Sequence, residues 1–152
     1  MSAPEILPPV LPATDRAPLT KKALTADHPT WCPGCGDFAV LHCYYRALEK
    51  LNYPHEKIVT MAGIGCSSRF PYFVNTHGGH YIHGRSLPFS AGVSLGRDDL
   101  HVFVFGGDGD GFSIGGNHLD HVARKNPRLT YVIMDNRSEE RRVGKECATL
   151  CR

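Results

Sequence analysis

The sequence lacks any apolar run approaching the roughly 18 residues of a membrane-spanning helix. Met1 leads into proline-rich chain without the continuous apolar core of a signal peptide. Neither membrane insertion nor secretion is expected, and a cytoplasmic location is the default reading. Excess charge is lacking too. The 17 basic and 15 acidic residues leave a formal net charge of +2. Residues 137–152 hold five of the basic and three of the acidic ones, so the first 136 balance at 12 (17 − 5) against 12 (15 − 3). No basic face needs explaining, and nucleic acid is not expected as a partner. Internal repeats and a low-complexity core are also missing. A length of 152 residues supports one domain or part of one, and 41% hydrophobic residues exclude compositional disorder.

What is present centres on Val102 to Asp110, VFVFGGDGD. Val102 to Phe105 form an apolar run of the kind expected for a strand buried on both faces. It breaks into Gly106-Gly107, where missing side chains allow a tight turn and close approach to a ligand. Asp108 and Asp110 follow, separated by Gly109. Ligands of open parallel sheets bind beyond the carboxyl ends of the strands. A carboxylate in a glycine turn there suits an oxygen-coordinated cation such as Mg²⁺, commonly shared with a phosphate. A second β-rich run, Leu129 to Asn136, ends in Asp135 and Asn136. Between the two runs, Ile114 to Asn126 reads as a helix with Ile114, Leu119, Val122 and Ala123 inward. Strand, helix and strand make a βαβ crossover, whose parallel strands can bring Asp108 and Asn136 together across 28 positions (136 − 108).

Upstream, Met1 to Pro18 carries five of the eleven prolines and reads as a surface-draped lead, followed by a polar approach from Lys21 to Thr30. Then comes WCPGCGDFAVL. Cys32 and Cys35 form a C-x-x-C around a Pro-Gly turn, which alone leaves a redox pair, half a zinc site or half an iron–sulfur site open. Asp37 can cap the next helix, whose buried stripe is Leu41, Tyr44, Leu48 and Leu51. Cys43 on that helix reads as a small buried hydrophobe. Lys57 to Ala62 reads as a strand running into GIGCSSR, a second glycine turn holding Cys66, where Ser67 and Ser68 could meet a phosphate or simply cap a helix. In THGGHYIHGR, His77, His80 and His83 suggest zinc, but their spacing does not suit one helical face and the glycines favour a loop. Ser86 to Leu95 reads as a helix whose Ser90, Ala91, Gly92 and Ser94 allow close packing. His118 and His121 read as partly exposed positions on the crossover helix.

WCPGCG, GIGCSSR, THGGHYIHGR, GGDGDGFSIGGNH and YVIMDN, in this order, resemble the β subunit of the 2-oxoacid:ferredoxin oxidoreductases. The resemblance covers Thr30 to Asn136. It implies an α/β fold with a mostly parallel sheet and helices on both faces, binding thiamine diphosphate, Mg²⁺ and a [4Fe-4S] cluster. Carried over by position, Cys32, Cys35 and Cys66 match cluster ligands, and Asp108 and Asn136 match Mg²⁺ ligands. Ile64, Gly65, Cys66, Ser67, Gly109 and Asp110 match segments that contact thiamine diphosphate, with His83 a weaker candidate. No side chain is assigned as catalytic. The activity implied is oxidative decarboxylation of 2-oxoglutarate or pyruvate to an acyl-CoA, with a separate α subunit, CoA and ferredoxin as partners. The rivals are a non-oxidative thiamine decarboxylase or synthase, against which the cysteines argue, and a zinc-binding interaction module. The latter would leave GGDGD and DN unexplained.

The resemblance stops at Asn136. The family continues with a glycine-containing loop that gives a third Mg²⁺ ligand and later a fourth cysteine. Here RSEERRVGKEC follows, and eight of the last sixteen residues are charged. That string reads like a translated sequencing adapter. The expectation is a lead over 1–29, a partial thiamine diphosphate domain over 30–136 whose C-terminal part is missing, and a non-native tail over 137–152. The chain as written is then expected to be inactive. Cys147 and Cys151 are not supported as the fourth ligand.

Overall fold

The computed structural model describes residues 17–135. The order is α1 (Lys21–Leu24), α2 (Asp37–Leu51), β1 (Ile58–Ala62), α3 (Phe70–Phe73), β2 (His77–His80), α4 (Ser86–Gly96), β3 (His101–Gly107), α5 (Gly116–Lys125) and β4 (Leu129–Met134). The four strands form one sheet in the order β2-β1-β3-β4, and every pairing is parallel. This is the α/β architecture expected from the strand–helix alternation.

Alternation along the strands sorts the side chains onto two faces. Ile58, Phe105 and Met134 join Leu41, Tyr44 and Leu48 of α2, with Phe70 and Phe73 of α3, in one core. Phe70 stacks on Phe105 with ring centroids 4.2 Å apart, and Tyr44 meets Phe105 edge-on at 4.7 Å. Val59, Met61, Val102 and Val104 point the other way, where Leu87, Ala91 and Val122 of α4 and α5 cover the sheet. Helices therefore lie on both faces. Each large apolar side chain buried this way contributes roughly 1.5–3 kcal/mol.

Several expectations need correction. Asp37 does not cap α2: Gly36 holds that position without a side-chain bond, and the Asp37 carboxylate is buried against Ser67. Cys43 is exposed, because it lies opposite the face shared by Leu41, Tyr44, Tyr45 and Leu48. Leu51, on the last turn of α2, is 45% exposed. Lys57 belongs to a short turn before β1. His77 to His80 is not a loop but an edge strand. Its Gly78 lets the backbone approach β1 so closely that a Cβ would stand 2.5 Å from the Thr60 carbonyl oxygen. The crossover helix begins at Gly116, after a wide π-type turn over Gly109–Ile114. Ile114 and Ala123 are exposed, which leaves Leu119 and Val122 as its inner face. On α4, Ser90, Ala91 and Ser94 are buried while Gly92 is exposed. At the other end, Leu24 is fully buried in the core and Thr25 bridges to Val74, so packed structure starts before Thr30. Among the described residues no helix is long and apolar enough to cross a membrane.

Candidate active site

The chain order reverses in space between β1 and β3. From β1 the chain passes outward to β2, then returns to place β3 on the opposite side of β1. Such a switch point opens a crevice beyond the carboxyl ends of the two central strands. Gly63 to Ser68 leave β1 there, and Asp108 to Gly111 leave β3. The register pairs Gly107 with Met134, so Asp108 and Asp135 stand side by side at the ends of β3 and β4. Asn136 lies outside the described residues, as do Cys147, Cys151 and the whole tail expected to be non-native.

Asp110 is the hub of the crevice. Its side chain is wholly buried and accepts from the Ile64 N–H at 3.2 Å, the Gly84 N–H at 2.7 Å and the Ser86 hydroxyl at 3.1 Å. Two backbone amides and a hydroxyl thus satisfy a carboxylate that would otherwise be costly to bury. The glycines make room for it: a Cβ on Gly63 would overlap the carboxylate, and one on Gly106 would stand 3.0 Å from it. Gly84, at φ +73°, occupies the left-handed region that favours glycine. Asp110 thereby ties together the segments after β1, β2 and β3. His83 joins them, with Nδ1 3.0 Å from the Ile64 carbonyl oxygen and 3.3 Å from Asp110 Oδ1.

A second knot lies beside the first. Cys32 and Cys35 share one turn, closed by Cys35 N–H donating to the Cys32 carbonyl at 3.0 Å. Trp31 Nε1–H donates to the Cys66 carbonyl at 2.6 Å, and Ser67 Oγ–H donates to Asp37 at 3.2 Å. These two bonds staple the C-x-x-C segment to the Cys66 turn. Burial pushes the Asp37 carboxyl above its usual range, while hydrogen bonds from Ser67 and Cys35 pull it back. Burial also raises the Cys35 thiol. Ser67 and Ser68 are fully buried and cap no helix; the Ser68 hydroxyl has no hydrogen-bond partner among the described residues.

The described structure thus brings Ile64, His83 and Asp110 into direct contact and places Asp108 beside them at the end of β3. It brings Cys32 and Cys35 to the loop that bears Cys66, yet no three His, Cys, Asp or Glu side chains among the described residues converge on one metal position. The histidine cluster does not form either: His80 bonds the Tyr72 hydroxyl at 2.8 Å, and His83 faces Asp110. Sequence reading missed Trp31, Asp37, Gly63 and Ser86 as site-building residues. Their adjacency to the quoted motifs was a visible signal for position, but not for these bonds.

The family model for the thiamine pyrophosphate enzyme, C-terminal TPP binding domain, matches residues 50–140. The chain belongs to the thiamine pyrophosphate enzymes. Within them it is similar to β subunits of 2-oxoacid:ferredoxin oxidoreductases. It is 48% identical over 128 residues to 2-oxoglutarate oxidoreductase subunit KorB of Mycobacterium tuberculosis, covering 84% of this chain and 34% of that protein. To 2-oxoacid:ferredoxin oxidoreductase 2, subunit beta, of Aeropyrum pernix it is 42% identical over 120 residues, covering 79% and 39%. A solved 2-oxoglutarate:ferredoxin oxidoreductase from Magnetococcus marinus, with 2-oxoglutarate, coenzyme A and succinyl-CoA bound, superposes with a TM-score of 0.74 at 51% identity. That match covers 77% of this chain and 40% of the other. The chain spans little more than a third of the length of these curated relatives. The family match runs from the end of α2 through β4 and so includes both glycine turns of the switch-point crevice.

Proposed function

We propose that the chain is the cofactor-binding part of a 2-oxoacid:ferredoxin oxidoreductase β subunit, acting with a separate α subunit on 2-oxoglutarate or pyruvate, with CoA as acyl acceptor and ferredoxin as electron acceptor. The observation that carries this reading is the crevice itself. Two glycine turns, Gly63 to Ser68 and Gly106 to Gly111, meet at the switch point and are locked together by Asp110. The relatives named above support the choice of reaction.

The residues present fit thiamine diphosphate and Mg²⁺. Asp108 is nearly buried at the end of β3 beside the end of β4, which offers oxygen donors of the kind Mg²⁺ takes. Asp108, with Asn136 as its partner by resemblance, would hold the ion. The backbone of Ile64, Gly65, Cys66, Ser67 and Gly109 would lie against the cofactor. The cofactor supplies the electron sink for decarboxylation. This chain's own work is to hold both turns rigid and orient what binds between them. The cluster is a weaker fit. Cys32, Cys35 and Cys66 would supply three thiolates, but among the described residues they do not converge on one metal position.

The test is calorimetric titration of thiamine diphosphate with Mg²⁺ into the purified protein, wild type and Asp108→Ala. Saturable binding with Mg²⁺, lost in the variant, supports the reading. Absence of binding to the wild type overturns it. Iron analysis and reduction of a viologen with 2-oxoglutarate or pyruvate, after co-purification with the α subunit, then address the cluster and the substrate.

A further inference from the structure

Among the three long helices, only α2 presents ionisable side chains of a single sign to solvent. His42, Arg46 and Lys50 are exposed and follow one another at four-residue spacing, so they form one column about 12 Å long. The two acidic residues of α2 are turned elsewhere. Asp37 is buried against Ser67, and half-buried Glu49 accepts the Lys21 N–H at 2.6 Å. None of the three basic side chains pairs with a carboxylate among the described residues. Like charges four residues apart repel and weaken a helix. Elsewhere the chain compensates its cations: α5 sets Asp120 four residues before Arg124, and Lys57 and Arg97 share Asp99. The α2 column has no such partner of its own.

The surroundings of the column leave room for a partner. Its other exposed side chains are small, Ala39, Cys43 and Ala47, so nothing on α2 overtops the basic groups. The helix begins two residues after Cys35 (37 − 35), and the column therefore runs away from the C-x-x-C turn. Pro33 and Gly34 at the tip of that turn are exposed, and a Cβ on Gly34 or Gly36 would meet nothing within 4 Å. Lys21 and Lys22 of α1, which packs beside α2, are exposed too. This side of the sheet is opposite the one covered by α4 and α5, so a body resting on α2 leaves those helices free.

Charge complementarity selects an acidic partner, and the size of the column selects its class. A nucleic acid would call for a broad basic surface, whereas the chain is nearly neutral overall and the column holds three residues. A small protein with a carboxylate-rich patch matches both its length and its sign. We propose that the outer face of α2, through His42, Arg46 and Lys50, docks the acidic ferredoxin that accepts electrons. This rests on the function proposed above, which requires a soluble electron carrier. Exposed charge of this kind steers encounter and sets its salt dependence, and it suits a carrier that must bind and leave quickly.

The experiment uses the protein co-purified with its α subunit and immobilised for surface plasmon resonance. A purified acidic [4Fe-4S] ferredoxin in its oxidised form is the probe, at low and at physiological salt. The expected result for the double variant Arg46→Glu, Lys50→Glu is an affinity at least about tenfold below wild type at low salt, mostly through slower association. Arg46→Gln with Lys50→Gln should fall between the two. The control is Arg124→Glu with Lys125→Glu on α5, which changes the net charge equally on the opposite side of the sheet; its affinity should stay within about twofold of wild type. Thiamine diphosphate titration of each variant should match wild type, because no substituted residue lines the crevice. Unchanged ferredoxin affinity in the α2 variant overturns the inference. An equal loss in the α5 variant does so as well, since net charge and not this face would then govern binding, and so does a wild type that binds no ferredoxin while taking up thiamine diphosphate. A wild type that takes up no thiamine diphosphate is the separate failure of the proposed function.

Discussion

The two ends of the same sheet handle their aspartates in opposite ways. At the carboxyl end, Asp110 is buried, pairs with no lysine or arginine among the described residues, and is satisfied by two backbone amides and a hydroxyl. At the amino end, Asp99 is exposed and paired with Lys57 and Arg97. Those cations hold its carboxyl well below the usual carboxylate range, Arg97 contributing most. The stronger-looking ion pair sits where water screens it, so it decides little about the fold. The quieter contacts around Asp110 join three separate strand ends at the one place where a ligand crevice opens. What orders a site is the number of chain segments that a buried group ties together, more than the charge of its partners.

Asp110→Ala tests that claim most severely. It strands one buried and one part-buried N–H group and a buried hydroxyl, at a cost on the order of 2–4 kcal/mol, and denaturant unfolding should show it as a lowered midpoint at unchanged slope. A midpoint equal to wild type would mean that the three turns hold themselves. Gly63→Ala attacks the same knot from the other side. The added methyl overlaps the Asp110 carboxylate, so one of the two turns must move. Overpacking of this kind costs about 1–3 kcal/mol. Thiamine diphosphate affinity should fall with it, whereas the equivalent change at exposed Gly92 of α4, where a Cβ meets nothing within 4 Å, should leave both unaltered.

The same contrast explains what could be read from sequence. The strand at Val102 to Phe105 was legible because burial on both faces leaves a continuous apolar run, and so were the parallel βαβ unit and the closely packed helix at Ser86. So was the placing of the end of β3 beside the end of β4, because a right-handed crossover allows few arrangements, whereas the expected partner Asn136 lies outside the described residues. Asp110 was visible as a site residue, but its work was not: nothing local shows that its oxygens are consumed by Ile64, Gly84 and Ser86, residues 24 to 46 positions away. The edge strand at His77 to His80 was hidden for a related reason. Gly78 and Gly79 argue locally for a loop, yet what lets this segment pair is the absence of a side chain against the Thr60 carbonyl. Cys43 was misplaced by residue type, although the helical stripe already pointed away from it.

His101, at the start of β3, gives a smaller effect of known sign. Its ring stacks on Tyr53 with centroids 3.5 Å apart, and burial first, then the charge of Arg128, lowers its pKa below the ordinary value. The unfolded chain therefore takes up the proton more readily. The contribution of His101 to stability is present above about pH 6.5 and lost as the pH falls towards its depressed value. In His101→Phe, which keeps the stack, thermal melts between pH 7.5 and 5.5 should show a shallower decline than wild type. Equal slopes would assign the acid sensitivity to other groups.

The smallest effect belongs to the most visible ion pair. Asp99→Asn removes the charge that Lys57 and Arg97 share but leaves an oxygen to accept their hydrogen bonds. All three side chains are a third or more exposed, so solvent already competes for them. The melting temperature should match wild type within the spread of replicate scans at physiological salt, and thiamine diphosphate affinity should not move at all. A loss comparable to that of Asp110→Ala would break the comparison between the two ends, because exposed charge would then count for as much as buried hydrogen bonding. Repeating the melts in high salt separates the causes. A loss that salt abolishes is Coulombic, whereas one that persists comes from the turn Arg97 to Leu100, whose closing bond feeds the chain into β3.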